Sequence, residues 1–236
     1  MKRNIFIPLT IMLFCVFGCV SCVMYHPHNV DIPLLEQKGD LRIDGSLNMT
    51  FPLLDGTGAN ATVSWAPLNM LGLQASGSIS DPENYQVQAA VGTFKGWGKS
   101  VLEFYVGAAK GHSYYEFSNK QANVGGPYNM FFGQINFGWN HLANDIVDVG
   151  VGFKSGMMNP NWSKETYDES TGTWSIAATH TDPHLLIEPL LMLRMGGEHL
   201  KFCINVAYSV FADWPTDDNN FNYTRLSVGA GLNYKF

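Results

Sequence analysis

The sequence predicts a closed, antiparallel, transmembrane β-barrel of ten strands, with eight strands as the alternative count. In ten segments between residues 41 and 236, apolar residues alternate with polar or small ones. The connections between these segments also differ in length in a regular way. A strand presents its two faces with period two, so each segment has one apolar face and one polar face. A membrane barrel needs both, because one face meets lipid and the other lines the lumen.

The bulk composition fits this fold. Charged residues make up 14% of the 236 residues, against about 25% in ordinary domains. No run of about 18 or more apolar residues follows the N-terminal segment, so we expect no membrane-spanning helix. A soluble β-sandwich or lipocalin-like barrel also alternates, and it is the competing fold.

The first residues form an export signal. Lys2 and Arg3 precede an apolar stretch from Ile5 to Val20, which is the pattern of a secretory signal. Removing a signal peptide at residues 1–21 takes these two basic residues from a total of 14, and leaves 12 against 20 acidic residues, a formal charge of −8. This acidic balance argues against nucleic acid as a partner, because nucleic-acid binders are basic.

Cysteine placement suggests a lipoprotein. Small residues before a cysteine at the end of the apolar stretch are typical of lipid attachment, and both Cys19 and Cys22 fit. We expect Cys22, because the bulky Phe17 fits poorly in the segment that would precede cleavage at Cys19. Residues 22–40 are then a lipidated periplasmic N-terminal arm, and residues 41–236 form the barrel.

The ten strand-like segments and their connections support one another. The segments cover residues 41–51, 59–65, 71–79, 85–91, 102–108, 131–139, 147–153, 185–193, 202–210 and 226–236. With the N-terminus in the periplasm, periplasmic turns should be short and the opposite loops longer. Short connections fall at 67–69, 96–98, 141–145 and 196–198, and long ones at 118–127, 157–181 and 213–222.

Pro189 is the least regular point of this assignment. Proline has no N–H to donate, and a barrel strand has a neighbour on each side. We therefore expect either a bulge at Pro189 or an eighth strand that starts later.

The faces opposite the lipid belt carry both signs of charge, so we expect a lumen packed with ion pairs and amides. The residues placed there are Arg42, Asp44, Gln74, Gln88, Glu103, Gln134, Asn136, Asp148, Lys154, Glu188, Arg194, Lys201, Asn205, Arg225, Asn233 and Lys235. Glycines on this face should leave room for larger neighbours, and they are Gly72, Gly92, Gly107, Gly133, Gly138, Gly150, Gly152, Gly229 and Gly231. A wide pore is not expected, whereas a narrow or gated conduit is left open.

One hypothesis is a hydrolase that uses His112 and Ser113, with Glu103 and Glu116 nearby. A lipid A deacylase would use such residue types, but the serine must reach the imidazole. Adjacent residues of a strand face opposite sides. We therefore expect no catalytic role for this pair.

A protease reading starts from Asp182 with His180 and His184, and from Asp217 and Asp218 in another loop. Paired acids and a histidine at the rim of a barrel can activate water. Acids at a rim are also ordinary solvated loop residues. An enzyme that acts on lipid A or peptides at the membrane surface is accordingly the alternative function.

The long loops are rich in aromatic residues, most of which fit an interface belt. Trp162, Trp174 and Trp214 lie deeper in the loops, beside Asn, Asp and Thr residues. Such mixtures can bind sugars or a protein partner, because aromatic side chains anchor contacts. These three are the candidate binding residues.

The last segment ends on an aromatic residue. The spacing of Gly231, Tyr234 and Phe236 resembles the terminal strand by which outer-membrane barrels are recognised for insertion. The barrel assembly machinery is therefore an expected partner.

The stretch 21–40 resembles the mature N-termini of small outer-membrane β-barrel (lipo)proteins of the Bacteroidota. It has Cys22, then Tyr25-His26-Pro27, then Pro33-Leu34-Leu35, then Lys38-Gly39-Asp40. Residues 58–61, 65–67 and 71–73 look like the second hairpin of that group. The resemblance implies an outer-membrane location and favours Cys22 as the lipidated position. It implies almost nothing about activity.

The leading hypothesis is a non-enzymatic outer-membrane barrel that is a structural or accessory subunit of an envelope assembly. Its partners would be outer-membrane lipid and an envelope protein, and a soluble lipocalin-like periplasmic binder is a further alternative. No cofactor is expected. His26 and His28 are two apart, but without further ligands they predict no metal site.

Overall fold

The computed structural model describes residues 32–51, 57–116, 122–212 and 225–236. Within these residues, thirteen strands form one sheet. They are β1 (Leu41–Phe51), β2 (Thr57–Leu68), β3 (Leu71–Asp81), β4 (Asn84–Trp97), β5 (Ser100–Glu116), β6 (Ala122–His141), β7 (Val147–Pro160), β8 (Trp162–Asp168), β9 (Thr173–His180), β10 (His184–Gly196), β11 (Leu200–Tyr208), β12 (Val210–Phe211) and β13 (Leu226–Lys235). In this part of the chain, no helix is long and apolar enough to cross a membrane.

Ten of these strands close into an antiparallel barrel. β1 to β7 pair in chain order, β7 pairs with β10, β10 with β11, and β11 with β13. β13 returns to β1, from the pair Arg42 with Lys235 to the pair Phe51 with Leu226. A closed wall has no open edge, so every wall strand has two neighbours. The predicted fold class and the count of ten are confirmed.

The two faces of the wall differ as the alternation predicts. Outer residues such as Leu47 and Phe131 are 72% and 66% exposed, whereas the lumen residues are buried. All the predicted lumen residues are fully buried except Gln88 and Lys235, which are half-buried, and Arg225, which is exposed and precedes β13. A lipocalin-like barrel would carry its apolar face inside, so that alternative is wrong.

One predicted lumen glycine lies on the other face. Gly133 is between Phe132 and Gln134, which are both buried in the lumen, so its own position points outward. The lumen glycines do make room for aromatic rings. A Cβ at Gly72 would lie 2.7 Å from Tyr105 Oη, and one at Gly111 would overlap the Tyr128 ring.

Pro189 is accommodated differently from both predicted possibilities. β10 begins at His184 and keeps a continuous register with β7, in which Pro189 pairs with Phe153. On its other side, β10 pairs with β12 up to Ile187 and with β11 from Leu190. On that side the ladder therefore skips Glu188 and Pro189, and proline has no N–H to donate to it.

The hairpin of β8 and β9 was not predicted as strands. β8 pairs with the first residues of β6, from Ala122 with Thr166 to Gly125 with Ser163. The hairpin thus extends the wall beyond the barrel, at the end opposite the short turns. Residues 117–121 and 213–224 of the predicted long loops lie outside the described residues.

Candidate functional site

The segment Ile32–Asp40, which we call the lumen segment, occupies the barrel at the end of the short turns. Leu35 packs with Ala66 and Phe94, near the ends of β2 and β4. Further from this opening, Leu34 and Ile32 are also fully buried, and Ile32 packs with Met192. Residues 32–36 of the predicted periplasmic arm therefore lie inside the barrel, whereas Gln37, Lys38 and Gly39 are exposed.

Arg194 of β10 holds the deepest part of the lumen segment. Its Nη1 donates to Pro33 O at 3.2 Å, and its Nη2 donates to Ile32 O at 3.0 Å. The same guanidinium pairs with Asp44 of β1 at 3.1 Å. A planar guanidinium can serve several acceptors at fixed angles, so one side chain joins two wall strands to the segment backbone.

The next residues are held from other strands. Leu34 O accepts hydrogen bonds from Arg42 Nη2 at 3.2 Å and from Asn140 Nδ2 at 3.0 Å. Leu35 N donates to Glu103 Oε1 at 2.8 Å. Buried backbone groups cost free energy when unpaired. These side chains therefore form a fitted seat for an extended chain.

Ion pairs fasten the outer part of the lumen segment. Glu36 Oε2 is 2.6 Å from Lys235 Nζ, and Glu36 Oε1 is 3.0 Å from His141 Nε2. Burial raises the pKa of Glu36, but the hydrogen bonds and charges of Lys235 and His141 together lower that pKa to about 2. Asp40 accepts from the Glu36 and Gln37 amides at 2.8 and 3.3 Å, which closes the turn into β1.

Further ion pairs pack the lumen, as predicted. Asp148 lies 2.6 Å from Lys201 Nζ and 3.7 Å from Arg42 Nη1. Lys154 and Glu188 are 3.8 Å apart. Desolvation offsets much of the attraction within pairs this deeply buried, so we expect them to add little net stability. In the described residues, the lumen is lined by buried ion pairs and amides, as the sequence predicts.

The half of the lumen nearer to the β8–β9 hairpin, away from the short turns, contains an apolar cluster. Its buried members are Ala109, Val124, Tyr128, Met130, Phe132, Met158, Trp162, Leu186 and Phe211. Trp162 is 1% exposed and meets Tyr128 edge to face, with 6.3 Å between ring centroids. The indole of Trp162 is therefore part of the core, and a binding role for Trp162 stays a prediction.

The other two candidate tryptophans differ from Trp162. Trp174 on β9 is 46% exposed, and its ring lies 5.3 Å from that of Tyr167. Trp214 lies outside the described residues. Of the two described candidate tryptophans, Trp174 is the accessible one, and Tyr167 lies beside it.

The candidate catalytic groups are not arranged as a triad in the described residues. Ser113 is buried on the lumen face, while His112 on the outer face is stacked on Tyr85, with Nδ1 2.7 Å from Glu83 O. Glu103 contacts the lumen segment instead. The predicted separation of the pair on opposite faces is confirmed.

The protease candidates lie at the rim. His180 and His184 meet through their Nε2 atoms at 2.6 Å, next to the exposed Asp182. Asp217 and Asp218 lie outside the described residues. Within those residues, no group of three or more His, Cys, Asp or Glu side chains could hold a metal ion.

The last strand seals the barrel. Phe236 N donates to Leu41 O at 3.0 Å, and its ring meets Tyr234 edge to face at 4.7 Å. Gly231 lies against the β1 backbone, where an added Cβ would overlap Gly45 O. The insertion signal stays a prediction, but its residues have structural roles at the seam. Cys22 lies outside the described residues.

The barrel has the fold of outer-membrane β-barrels. It is similar to the outer membrane protease OmpT from Escherichia coli, with a TM-score of 0.59 and 9% identity, over 84% of this chain and 97% of that chain. The KdgM porin, in complex with disordered oligogalacturonate, gives 0.40 and 12% over 83% and 99% of the two chains. The attachment invasion locus protein Ail of Yersinia pestis gives 0.27 and 11% over 85% and 100%.

These similarities concern the fold alone, and only the OmpT comparison is strong enough to carry that argument. No protein-family model and no curated protein matches the sequence. The Bacteroidota resemblance and the lipid attachment stay predictions.

Proposed function

We propose that this chain is a non-enzymatic outer-membrane β-barrel that is a structural or accessory subunit of an envelope assembly. The observation that carries the proposal is the lumen segment, which fills the end of the barrel at the short turns. Arg42, Arg194, Asn140 and Glu103 bind its backbone rather than leaving a conduit open. In a barrel closed in this way, the outer wall and the loops are the surfaces available for binding a partner.

The lengths of the connections support one orientation of the barrel. Short turns of outer-membrane barrels face the periplasm and long loops face the exterior. The lumen segment then closes the periplasmic end, and the β8–β9 hairpin with Trp174 and Tyr167 stands on the outer side. An exposed aromatic pair on that side suits an envelope partner.

The first test is ion conductance across planar bilayers that contain the purified, folded protein. We expect no steady single-channel current, because ion pairs and the lumen segment fill the barrel. A stable current from the unmodified protein would overturn the closed-barrel proposal in favour of a narrow channel.

The accessory role has its own test. Chemical cross-linking in intact cells, followed by purification in detergent, should recover a defined envelope protein with the barrel. A Trp174→Ala variant should reduce the yield of the cross-linked envelope protein. A substitution of the buried His184 is not a suitable comparison, because it would change the yield through folding. Recovery of the barrel alone after cross-linking would contradict the accessory role.

A further inference from the structure

A row of polar side chains crosses the outer wall at one level. Lys110 of β5 pairs in register with Asn129 of β6, which pairs with Asn159 of β7, and all three are exposed on the outer face. The next pair on this face, towards the short turns, is apolar and consists of Ala108 and Phe131. On β5, β6 and β7 the row therefore marks where the apolar belt ends, whereas Val87 of β4, which pairs with Lys110, is apolar.

The level of this row matches that of lipid headgroups. Ser100 begins β5 at the short turns, and Lys110 follows ten residues later on the same strand. At about 3.3 Å per residue and a tilt of about 40°, ten residues rise about 25 Å, which is the height of the apolar band of such barrels. Trp97 and Trp139, both outward, mark the opposite boundary.

A shallow groove, open to the outer surface, descends from Lys110 along the outer wall. Its upper part, of about 580 Å³, is lined by Lys110, Asn129, Ala89, Ala108 and Phe131. The last three residues also line a lower part of about 750 Å³, so the two parts are continuous. The lower part extends past Gly133, whose missing side chain leaves the groove open.

The groove combines one cation, two amides and an apolar channel. The Lys110 side chain forms no hydrogen bond or ion pair with any described residue, and its neighbour His112 is engaged with Glu83 and Tyr85. A lysine near the membrane surface attracts anionic lipid. Small side chains below it expose a channel that can accept a hydrocarbon chain.

We infer that this groove is a binding site for one phosphate-bearing membrane lipid. The phosphate lies at Lys110 Nζ, with amide donors from Asn129 and Asn159, and one acyl chain runs over Ala108 and past Gly133. The inference goes beyond the proposed function and requires only that the barrel lies in a membrane. Detergent extraction and boil-shifted mobility establish that condition separately from lipid binding.

The test is native mass spectrometry of the folded barrel in a mild detergent, titrated with phosphatidylglycerol. Lys110→Ala should weaken the lipid adduct about five-fold or more, because one lysine near the surface contributes that much attraction. The matched control is Lys95→Ala, which removes an outer-face lysine at the other end of the wall. Equal losses for the two variants would reduce the signal to unspecific charge attraction and overturn the site.

A second pair of variants tests the acyl channel. Gly133→Leu should fill the groove and weaken the adduct, and a Cβ there meets nothing nearer than Tyr105 O at 3.9 Å, so the fold should persist. The control is Gly45→Leu on β1, where a Cβ meets no atom within 4 Å. An unchanged adduct for Gly133→Leu would overturn the lipid assignment. So would an adduct of inorganic phosphate in the absence of any phosphatidylglycerol adduct, since that would define an ion site.

Discussion

At the scale of single residues, the lumen is organised by side chains that bind backbone rather than ligand. Arg194 joins Asp44 to the carbonyls of Ile32 and Pro33. Each group is buried, so removing the guanidinium leaves a carboxylate and two carbonyls without this partner. The free energy of unfolding should therefore depend strongly on Arg194.

We expect Arg194→Ala to lower the free energy of unfolding by about 3–5 kcal/mol, the usual cost of breaking a buried ion pair. Denaturant unfolding in detergent micelles measures this change. Arg225→Ala is the control, because Arg225 is exposed and surface changes usually stay within about 0.5 kcal/mol. Similar effects for the two variants would contradict the role given to Arg194.

Glu36 gives the fold a dependence on acid. Its pKa is lowered from 4.5 to about 2 by Lys235 and His141, so its contribution to stability is complete above pH 4.5 and is lost as pH falls towards 2. The temperature at which heating converts the folded, faster- or slower-migrating form to the unfolded form on gels should therefore drop as pH falls from 4.5 towards 2. Glu36→Gln should flatten this part of the profile, and an unchanged profile would show that Glu36 does not anchor the segment.

At the scale of elements, the wall strands could be predicted because their two faces meet different surroundings. Where both faces are exposed, the signal vanishes. Thr173, Trp174, Ser175 and Ile176 of β9 are all exposed, so no period of two could identify that strand. The hairpin instead depends on pairing with β6, almost 40 residues earlier in the pair Gly125 with Ser163.

The hairpin is attached to the barrel through Trp162. Trp162→Ala should destabilise the protein by about 3–5 kcal/mol, because it empties a buried aromatic position. Trp174→Ala, on the exposed strand of the same hairpin, should stay within about 0.5 kcal/mol. Thermal conversion of the folded form measures both, and equal shifts would place Trp162 outside the core.

The seam between β1 and β13 depends on close approach of two backbones. Gly231→Ala should reduce the fraction of protein that reaches the closed form, because the added methyl group would lie 2.6 Å from Ser46 Cα. Gly197→Ala in a turn is the control, with its nearest atom at 3.9 Å. The measurement is the fraction of each variant in membrane extracts whose gel mobility changes on boiling. Equal fractions for Gly231→Ala and Gly197→Ala would contradict a role of Gly231 at the seam.

At the scale of the whole molecule, the closed sheet predicts resistance to detergent. A barrel keeps all its backbone bonds internal, so the unboiled protein should migrate differently from the boiled protein. Recovery in the soluble fraction without any shift would contradict a membrane barrel.

The architecture was visible in the sequence because alternation and loop length both repeat around a barrel. The side chains that bind the lumen segment could not be predicted from the sequence. Ile32, Leu34 and Leu35 carry no periodic signal, and their partners are far away in sequence, as for Pro33 and Arg194, separated by 161 residues. Contacts of that kind are set by closure of the sheet, not by any local pattern.

The seat also constrains the order of assembly. Its side chains come from β1, β5, β6, β10 and β13, and the anchor at Lys235 is on the last strand. The seat therefore does not exist until the final strand has joined the first one. We therefore expect the earliest described residues of the chain to be held by their full set of contacts only once the barrel has closed.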